Sequence, residues 1–402
     1  MKQGWKESTL GKVCLIKPPK QEVKKRLSDN DLVSFVPMSN LGIYAKELVL
    51  NENKPLDEVY GSYTYFANKD VLLAKITPCF ENGKLGIASG LTNGVGFGSS
   101  EYIVLRSQGE IDPEFLFYFL SQDSFREAGT KLMTGAVGHK RVPNDFVENY
   151  PILYPNTIDK QKRVVKILDE AFEKIDKAIA ITKKNLTNAH EFFESYLNNI
   201  FSQKSDDWEE ASLDRYIKFI DYRGKTPTKV NEGLRLITAK NVRMGFLQEE
   251  PKEFVDSDIY KTWMTRGVPK KEDVLFTTEA PLGLVCQLDT DEKVVFAQRI
   301  IILQPDRKIL NPSFLSYMLR SNIYQKLIGD KSTGATAQGI KASLLKKIII
   351  YFPDIDTQNM ISKQIFDVLN ATQTLEQIYL HKLNVLSELK QSLLKKAFSG
   401  EL

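Results

Sequence analysis

Residues 160–202 read KQKRVVKILDEAFEKIDKAIAITKKNLTNAHEFFESYLNNIFS, with neither proline nor glycine. Leu168, Phe172, Ile175, Ile179, Thr182, Leu186, Ala189, Phe193, Leu197 and Ile200 step through this stretch by three or four. That spacing marks a long helix with one apolar face, the seam of a coiled coil. From Thr357 to Phe398 the pattern returns as Ile361, Ile365, Val368, Thr372, Leu375, Tyr379, Leu383, Leu386, Leu389, Leu393 and Ala397. At 1.5 Å per residue the first stretch makes a rod about 65 Å long. A lone helix with such a stripe exposes it to water, so the two stretches are expected to pair. The alternative is that each lies on its own globule.

What precedes each helix is also repeated. Trp5-Lys6-Glu7-Ser8-Thr9-Leu10 is answered by Trp208-Glu209-Glu210-Ala211-Ser212-Leu213, and Asp70-Val71-Leu72 by Asp273-Val274-Leu275. Asp112-Pro113-Glu114-Phe115-Leu116 is answered by Asn311-Pro312-Ser313-Phe314-Leu315, and Thr134-Gly135-Ala136 by Thr333-Gly334-Ala335. The period, about 200 residues, is far longer than a solenoid unit of roughly 20–50. It describes two copies of a whole domain with its appended helix. Only Gln203 to Asp207 join the first helix to Trp208. The second globule therefore starts at the far end of the first helix, and its own helix can return along the rod only if the pair is antiparallel. The expected fold is α+β, with two α/β domains at opposite ends of an antiparallel coiled coil of two long helices, related by a pseudo-two-fold axis. The expected boundaries are 1–155 and 206–353 for the globules, and 156–205 and 354–402 for the helical spacers.

Within the globules, Val33–Val36, Val71–Ala74, Tyr102–Leu105 and Ile152–Tyr154 read as strands, as do Leu234–Thr238, Val274–Thr277, Ile300–Leu303 and Ile348–Phe352. Asp112-Pro113 and Asn311-Pro312 read as helix starts, a polar cap followed by proline at the first helical position.

The chain of 402 residues is 42% hydrophobic and 26% charged, with a formal net charge of +4. These are ordinary proportions for globular protein. A mild positive charge permits nucleic-acid binding without implying it. No apolar run nears the roughly 18 residues of a membrane span, and the N-terminus lacks the apolar stretch of a secretory signal. Cys14, Cys79 and Cys286 lie far apart, which fits a reducing compartment. A cytoplasmic location is expected.

No constellation supports catalysis. Asn311-Pro312-Ser313-Phe314 resembles the Asn/Asp-Pro-Pro-Tyr/Phe strip of amino-methyltransferases, but its counterpart Asp112-Pro113-Glu114-Phe115 is a helix start too. Gly94-Val95-Gly96-Phe97-Gly98 lacks the strand and helix context of a cofactor loop, and no Gly-x-x-x-x-Gly-Lys-Ser/Thr motif is present. Asp70, Glu81 and Lys84 do not match nuclease spacing. His139, His190 and His381 lack metal-ligand spacing with the cysteines. A binding protein is expected, with no catalytic, cofactor or metal residues.

The two-copy layout, the Thr-Gly-Ala tripeptides, and the helix starts Asp159-Lys160-Gln161 and Asp356-Thr357-Gln358 resemble the DNA-specificity subunit of type I restriction–modification enzymes. So does the C-terminal run from Ser392 to Leu402. In the second copy, Leu236 to Val242 and Thr277 to Gly283 look like target-recognition sequences; the first copy departs from them at Val36 to Asn40 and Lys75 to Pro78. The resemblance implies a non-catalytic subunit that binds double-stranded DNA. Its partners would be two modification subunits, carrying S-adenosylmethionine, and ATP-driven restriction subunits; no cofactor is expected in this chain. Each globule would be a target-recognition domain reading one half of an asymmetric site in the major groove, with phosphate contacts fixing register. The favoured DNA-binding residues in the first are Ser39, Asn40, Lys75, Thr77, Lys84, His139, Lys140 and Arg141. In the second they are Arg223, Lys225, Thr226, Lys240, Asn241, Arg243, Thr277, Glu279, Arg299 and Gln338. Lys183, Lys184, Glu191, Lys382 and Lys390 are expected on outer helix faces. The reading from another class is a scaffold with duplicated protein-binding heads and no DNA role.

Overall fold

The computed structural model describes residues 3–203, 205–224, 226–297, 299–334 and 338–402. The chain divides into two compact units, Met1–Thr182 with His381–Leu402, and Lys183–Leu380. The division cuts through both long helices, Ile158–Ser202 and Ile355–Ser399.

In the first unit, a central sheet orders its strands as Cys14–Ile16, Tyr102–Ser107, Val71–Ala74 and Leu85–Ile87, all antiparallel. Side chains alternate across a strand, and here both faces are covered. Val71 and Leu73 face a core built with Phe115, Leu116 and Phe125, while Leu72 and Ala74 face one built with Val36, Phe66 and Tyr102. Double burial explains the continuous apolar run. A second sheet pairs Leu32–Val36 in parallel with Val95–Gly98, flanked by Asn53–Pro55 and Thr64–Ala67. Trp5–Thr9 pairs antiparallel with Pro151–Pro155, joining the chain's start to the last strand before the helix.

The second unit repeats this plan. Its central sheet runs Ile217–Asp221, Ile300–Pro305, Val274–Thr277, Val285–Gln287. Leu234–Ile237 pairs in parallel with Val294–Phe296, and Glu209–Ser212 closes on Ile349–Phe352. The copies diverge at the edge of the second sheet. The counterpart of Thr64–Ala67 is missing among the described residues, and Lys229–Val230 joins the opposite side through Glu253–Val255.

Both expected caps form. The Asp112 carboxylate accepts the backbone N–H of Glu114 and Phe115 at 2.9 and 3.2 Å, and the Asn311 side chain that of Ser313 and Phe314 at 2.7 and 3.0 Å. Pro113 and Pro312 take the first helical position, where a missing N–H costs nothing.

Each long helix does both things the sequence allowed. In the first unit Val164, Val165 and Leu168 pack into the globule's core together with Leu394, Ala397 and Phe398, so one helix's beginning meets the other's end. Lys390 belongs to this contact, bonding Asp176 at 2.5 Å over the Phe172 ring, and is not an outer-face residue. In the second unit Leu197 and Phe201 share a core with Ile365, and His190 Nδ1 lies 2.9 Å from Glu376. The direction is antiparallel in each. Leu375 and Leu389, expected in the seam, are 41% and 44% exposed, whereas Leu394 is buried. A straight helix drifts about 20° per heptad against a 3.5-residue repeat, which carries a strict stripe off the contact line.

Candidate nucleic-acid interface

Three loops meet at one end of the first unit's central sheet. The hairpin of Val71–Ala74 and Leu85–Ile87 turns through residues 75–84. Alongside it, the Thr77 N–H donates to the Lys140 carbonyl and the Val142 N–H to the Lys75 carbonyl, both at 2.9 Å. The Thr-Gly-Ala loop closes on itself, Thr134 and Arg141 exchanging backbone hydrogen bonds at 3.1 and 2.8 Å. Gly135, at φ 126°, makes the turn possible: a Cβ there would sit 2.9 Å from the His139 carbonyl oxygen. The third loop is the turn Met38–Asn40 after the parallel strand, anchored by Lys84 Nζ donating to the Met38 carbonyl at 2.6 Å.

These bonds sort the expected residues. Ser39, His139, Lys140 and Arg141 are exposed, and Lys75 is half-buried beside them. Arg141 donates to both carboxylate oxygens of Glu101, at 2.8 and 2.9 Å, and this hydrogen bonding holds the Glu101 carboxyl below its ordinary range. Thr77 Oγ1 is bonded to Glu81 at 2.8 Å. Asn40 spends both side-chain donors on Val49 and Asn51, at 2.9 and 2.7 Å, and so ties down the following loop. Asp70, weighed for a nuclease centre, is buried against Arg106.

The second unit builds the same frame. The Ile340 N–H donates to the Thr278 carbonyl at 2.9 Å, and Thr333 and Gly339 exchange bonds at 2.9 and 3.0 Å. Thr278 and Gly339 thus stand where Lys75 and Arg141 stand in the first. Lys240, Thr226, Glu279, Arg299 and Gln338 are exposed, with Arg299 Nε 3.4 Å from Glu279. Arg223 is paired with Asp221 at 2.7 Å, and Arg243 donates to the Val242 carbonyl at 2.9 Å. Lys225 lies outside the described residues.

Two of the favoured residues face inward. Asn241 is 1% exposed: its Oδ1 accepts the Thr238 N–H at 3.1 Å and its Nδ2 donates to the Pro251 carbonyl at 3.0 Å. Thr277 is fully buried, Oγ1 donating to the Pro281 carbonyl at 2.7 Å and accepting the Leu284 N–H at 2.9 Å. Both hold the frame that presents their neighbours. A short polar side chain at a strand's end satisfies backbone groups there as readily as it faces a ligand.

Two contributors lie outside the expected set. Glu101 orients Arg141, and Val137, 94% exposed between Gly135 and Gly138, is the apolar tip of its loop. The paired glycines around Val137 were its signal in the sequence; Glu101 had none, because only folding brings it to Arg141. Among the described residues no cluster of metal-ligating side chains exists, and no helix is long and apolar enough to cross a membrane.

Comparison with known proteins places this architecture. The family model described as "Type I restriction modification DNA specificity domain" matches residues 2–189 and 222–384. The EcoEI type I restriction enzyme specificity subunit of Escherichia coli is 30% identical over 260 residues, 64% of this chain and 43% of that protein. The EcoAI specificity subunit of the same organism is 38% identical over 164 residues, 40% of this chain and 27% of that protein. The chain thus spans less than half the length of these two relatives. The MjaVIII specificity subunit of Methanocaldococcus jannaschii is 24% identical over 86% of this chain and 78% of its own length. Among solved structures, a chain from work on complex assembly and conformational transition of the type I R-M system superposes with a TM-score of 0.83 at 19% identity, over 100% of this chain and 99% of that one. The HsdS subunit from Thermoanaerobacter tengcongensis gives 0.67 at 17% identity, over 100% and 98%. With two copies of the domain matched by the model and the same fold in these structures, the chain belongs to the type I restriction modification DNA specificity domain family.

Proposed function

We propose that the chain is the non-catalytic specificity subunit of a type I restriction–modification complex, each globule reading one half of an asymmetric bipartite DNA site. The observation that carries this is the doubled loop frame with different chemistry in it. The first frame offers Ser39, Lys75, His139, Lys140 and Arg141, and the second Lys240, Glu279, Arg299 and Gln338. Arg and Lys suit guanine, Gln suits adenine and Glu accepts from cytosine, while Lys240 is assigned to a phosphate, so like frames with unlike side chains read unlike half-sites. Lys84, Thr77, Asn40, Asn241 and Thr277 hold the loops, while Arg223, Thr226 and Arg243, with Lys225 outside the described residues, remain proposed DNA contacts of the second reader.

The boundaries 1–155, 156–205, 206–353 and 354–402 divide readers from spacers in this proposal, and the paired helices fix the interval between half-sites. The helices also dock two modification subunits, which carry S-adenosylmethionine, and the restriction subunits bring ATP hydrolysis. Large apolar side chains left 50–60% exposed on the helices, Phe192 and Ile378 in the second unit among them, support cover by a protein partner. The work is done on cellular DNA in the cytoplasm. The test is footprinting of the chain assembled with its modification subunits: two short protected stretches with an unread interval are expected, and no sequence-specific protection would leave a protein scaffold instead.

A further inference from the structure

In the second unit, a groove between the helix Pro312–Arg320 and the first turns of Ile355–Ser399 encloses about 400 Å³. Arg320 lines it, its guanidinium 5.4 Å from the Tyr317 ring centroid and 5.8 Å from that of Phe193. Gly245, at φ 92°, leaves the guanidinium its space: a Cβ there would lie 2.7 Å from Nη2. Among the described residues no carboxylate pairs with Arg320, and its buried Nε has no acceptor. Ser362, 7% exposed, also lines the groove, and its buried Oγ is likewise unbonded. Lys363 adds a second cation at the rim.

The first unit shows the same groove satisfied from within. There Lys46 bonds Glu114 at 2.7 Å and also Asp169, while the Tyr118 hydroxyl donates to Asp169 at 2.5 Å. Glu114 and Ser313 occupy the same position after their caps. Asp169 and Phe366 each follow the anchoring glutamine, Gln161 or Gln358, at the same spacing. The second groove therefore has Ser313 and Phe366 where the first has its two carboxylates. An Nε–H buried without an acceptor is costly, and the half-buried guanidinium's planar fork, beside two rings, matches a carboxylate.

We infer that this groove takes the carboxylate of an Asp or Glu side chain presented by a protein partner, with an apolar neighbour covering Phe366. Phe366 and Phe246 stand 52% and 59% exposed, and a protein segment covers such rings. A DNA phosphate brings sugar and water and leaves them bare. The inference rests on the proposed function only for the partner's identity, a modification subunit.

The experiment uses the full chain with its modification subunits. Arg320→Met keeps the stacked volume and removes the fork; assembly is expected to weaken roughly ten- to hundredfold, the scale of a charged hydrogen bond. In a second variant, Phe366 is replaced by the photo-crosslinker p-benzoylphenylalanine, at an exposed position that leaves the fold intact. Its adduct is expected on a modification-subunit peptide containing Asp or Glu. Assembly unchanged within about twofold, or adducts on DNA alone, would overturn the inference while the bipartite footprint stands. A wild-type chain that forms no complex would overturn both.

Discussion

Gln161 Oε1 accepts the backbone N–H of Asp112 at 2.7 Å, so a side chain with no exposure to solvent ties the start of the long helix to its globule. Its Nε2 donates to the carbonyls of Glu110 and Pro155 at 3.0 and 2.9 Å. Gln358 repeats the clasp on Asn311, Ile309 and Pro353, each at 2.8 Å. One amide thus joins the last strand, a helix cap and the start of the long helix, and sets where each helix leaves its globule.

Replacing either glutamine by alanine strips three backbone groups of their partner, one of them, the Pro155 or Pro353 carbonyl, in a buried bond, and that buried group alone costs about 1–3 kcal/mol. Gln161→Ala and Gln358→Ala should each lower unfolding free energy by about 3 kcal/mol, measured by urea denaturation of the full chain. Losses below about 0.5 kcal/mol would mean that water replaces the amide freely.

Acid should release the Arg141 loop. Glu101 is held below its ordinary value of 4.5 by the hydrogen bonds from Arg141, with burial opposing. A depressed carboxyl stabilises above its unfolded pKa and loses that contribution as pH falls through the folded one. Between pH 7 and 5 the loop is expected to stay closed. Below about pH 4, hydrogen exchange at the Thr134 and Arg141 amides should accelerate more than at the Val71–Ala74 strand. In Glu101→Gln this extra pH dependence should vanish; its persistence would assign it to another group.

Neighbouring residues in the second frame should separate stability from binding. Asn241→Ala strips bonds from a buried turn and should cost about 2 kcal/mol or more of stability. Lys240→Ala, at an exposed position, should leave unfolding unchanged, weaken DNA binding evenly across sequences and reduce the salt slope by about one. Titrating both variants against specific and random duplexes at several salt concentrations decides it. Sequence-selective loss in Lys240→Ala would make that residue a base reader.

The two helices, the repeat, the strand runs and both proline-marked caps were legible in the sequence because each rests on local spacing or on a single cap geometry. The seam was legible only in part: Leu375 and Leu389 obey the spacing yet lie off the contact line. The loop frame was foreshadowed by the repeated Thr-Gly-Ala and by the stretches Lys75 to Pro78 and Thr277 to Gly283. Which residues in it face outward was not. Asn40 and Asn241 carry the right chemistry for adenine but satisfy backbone groups ten residues away or less. Those bonds exist only once strand and loop have closed, as does the pairing of Arg141 with Glu101.

The most direct measurement is the spacer itself. Inserting four residues into both Ile158–Ser202 and Ile355–Ser399 adds about 6 Å of rise to each. Sequencing methylated sites in cells carrying this chain and its modification subunits should then show both half-sites unchanged and the interval longer by about one or two base pairs. Unchanged spacing, with methylation intact, would contradict a helical pair that sets the distance between two readers.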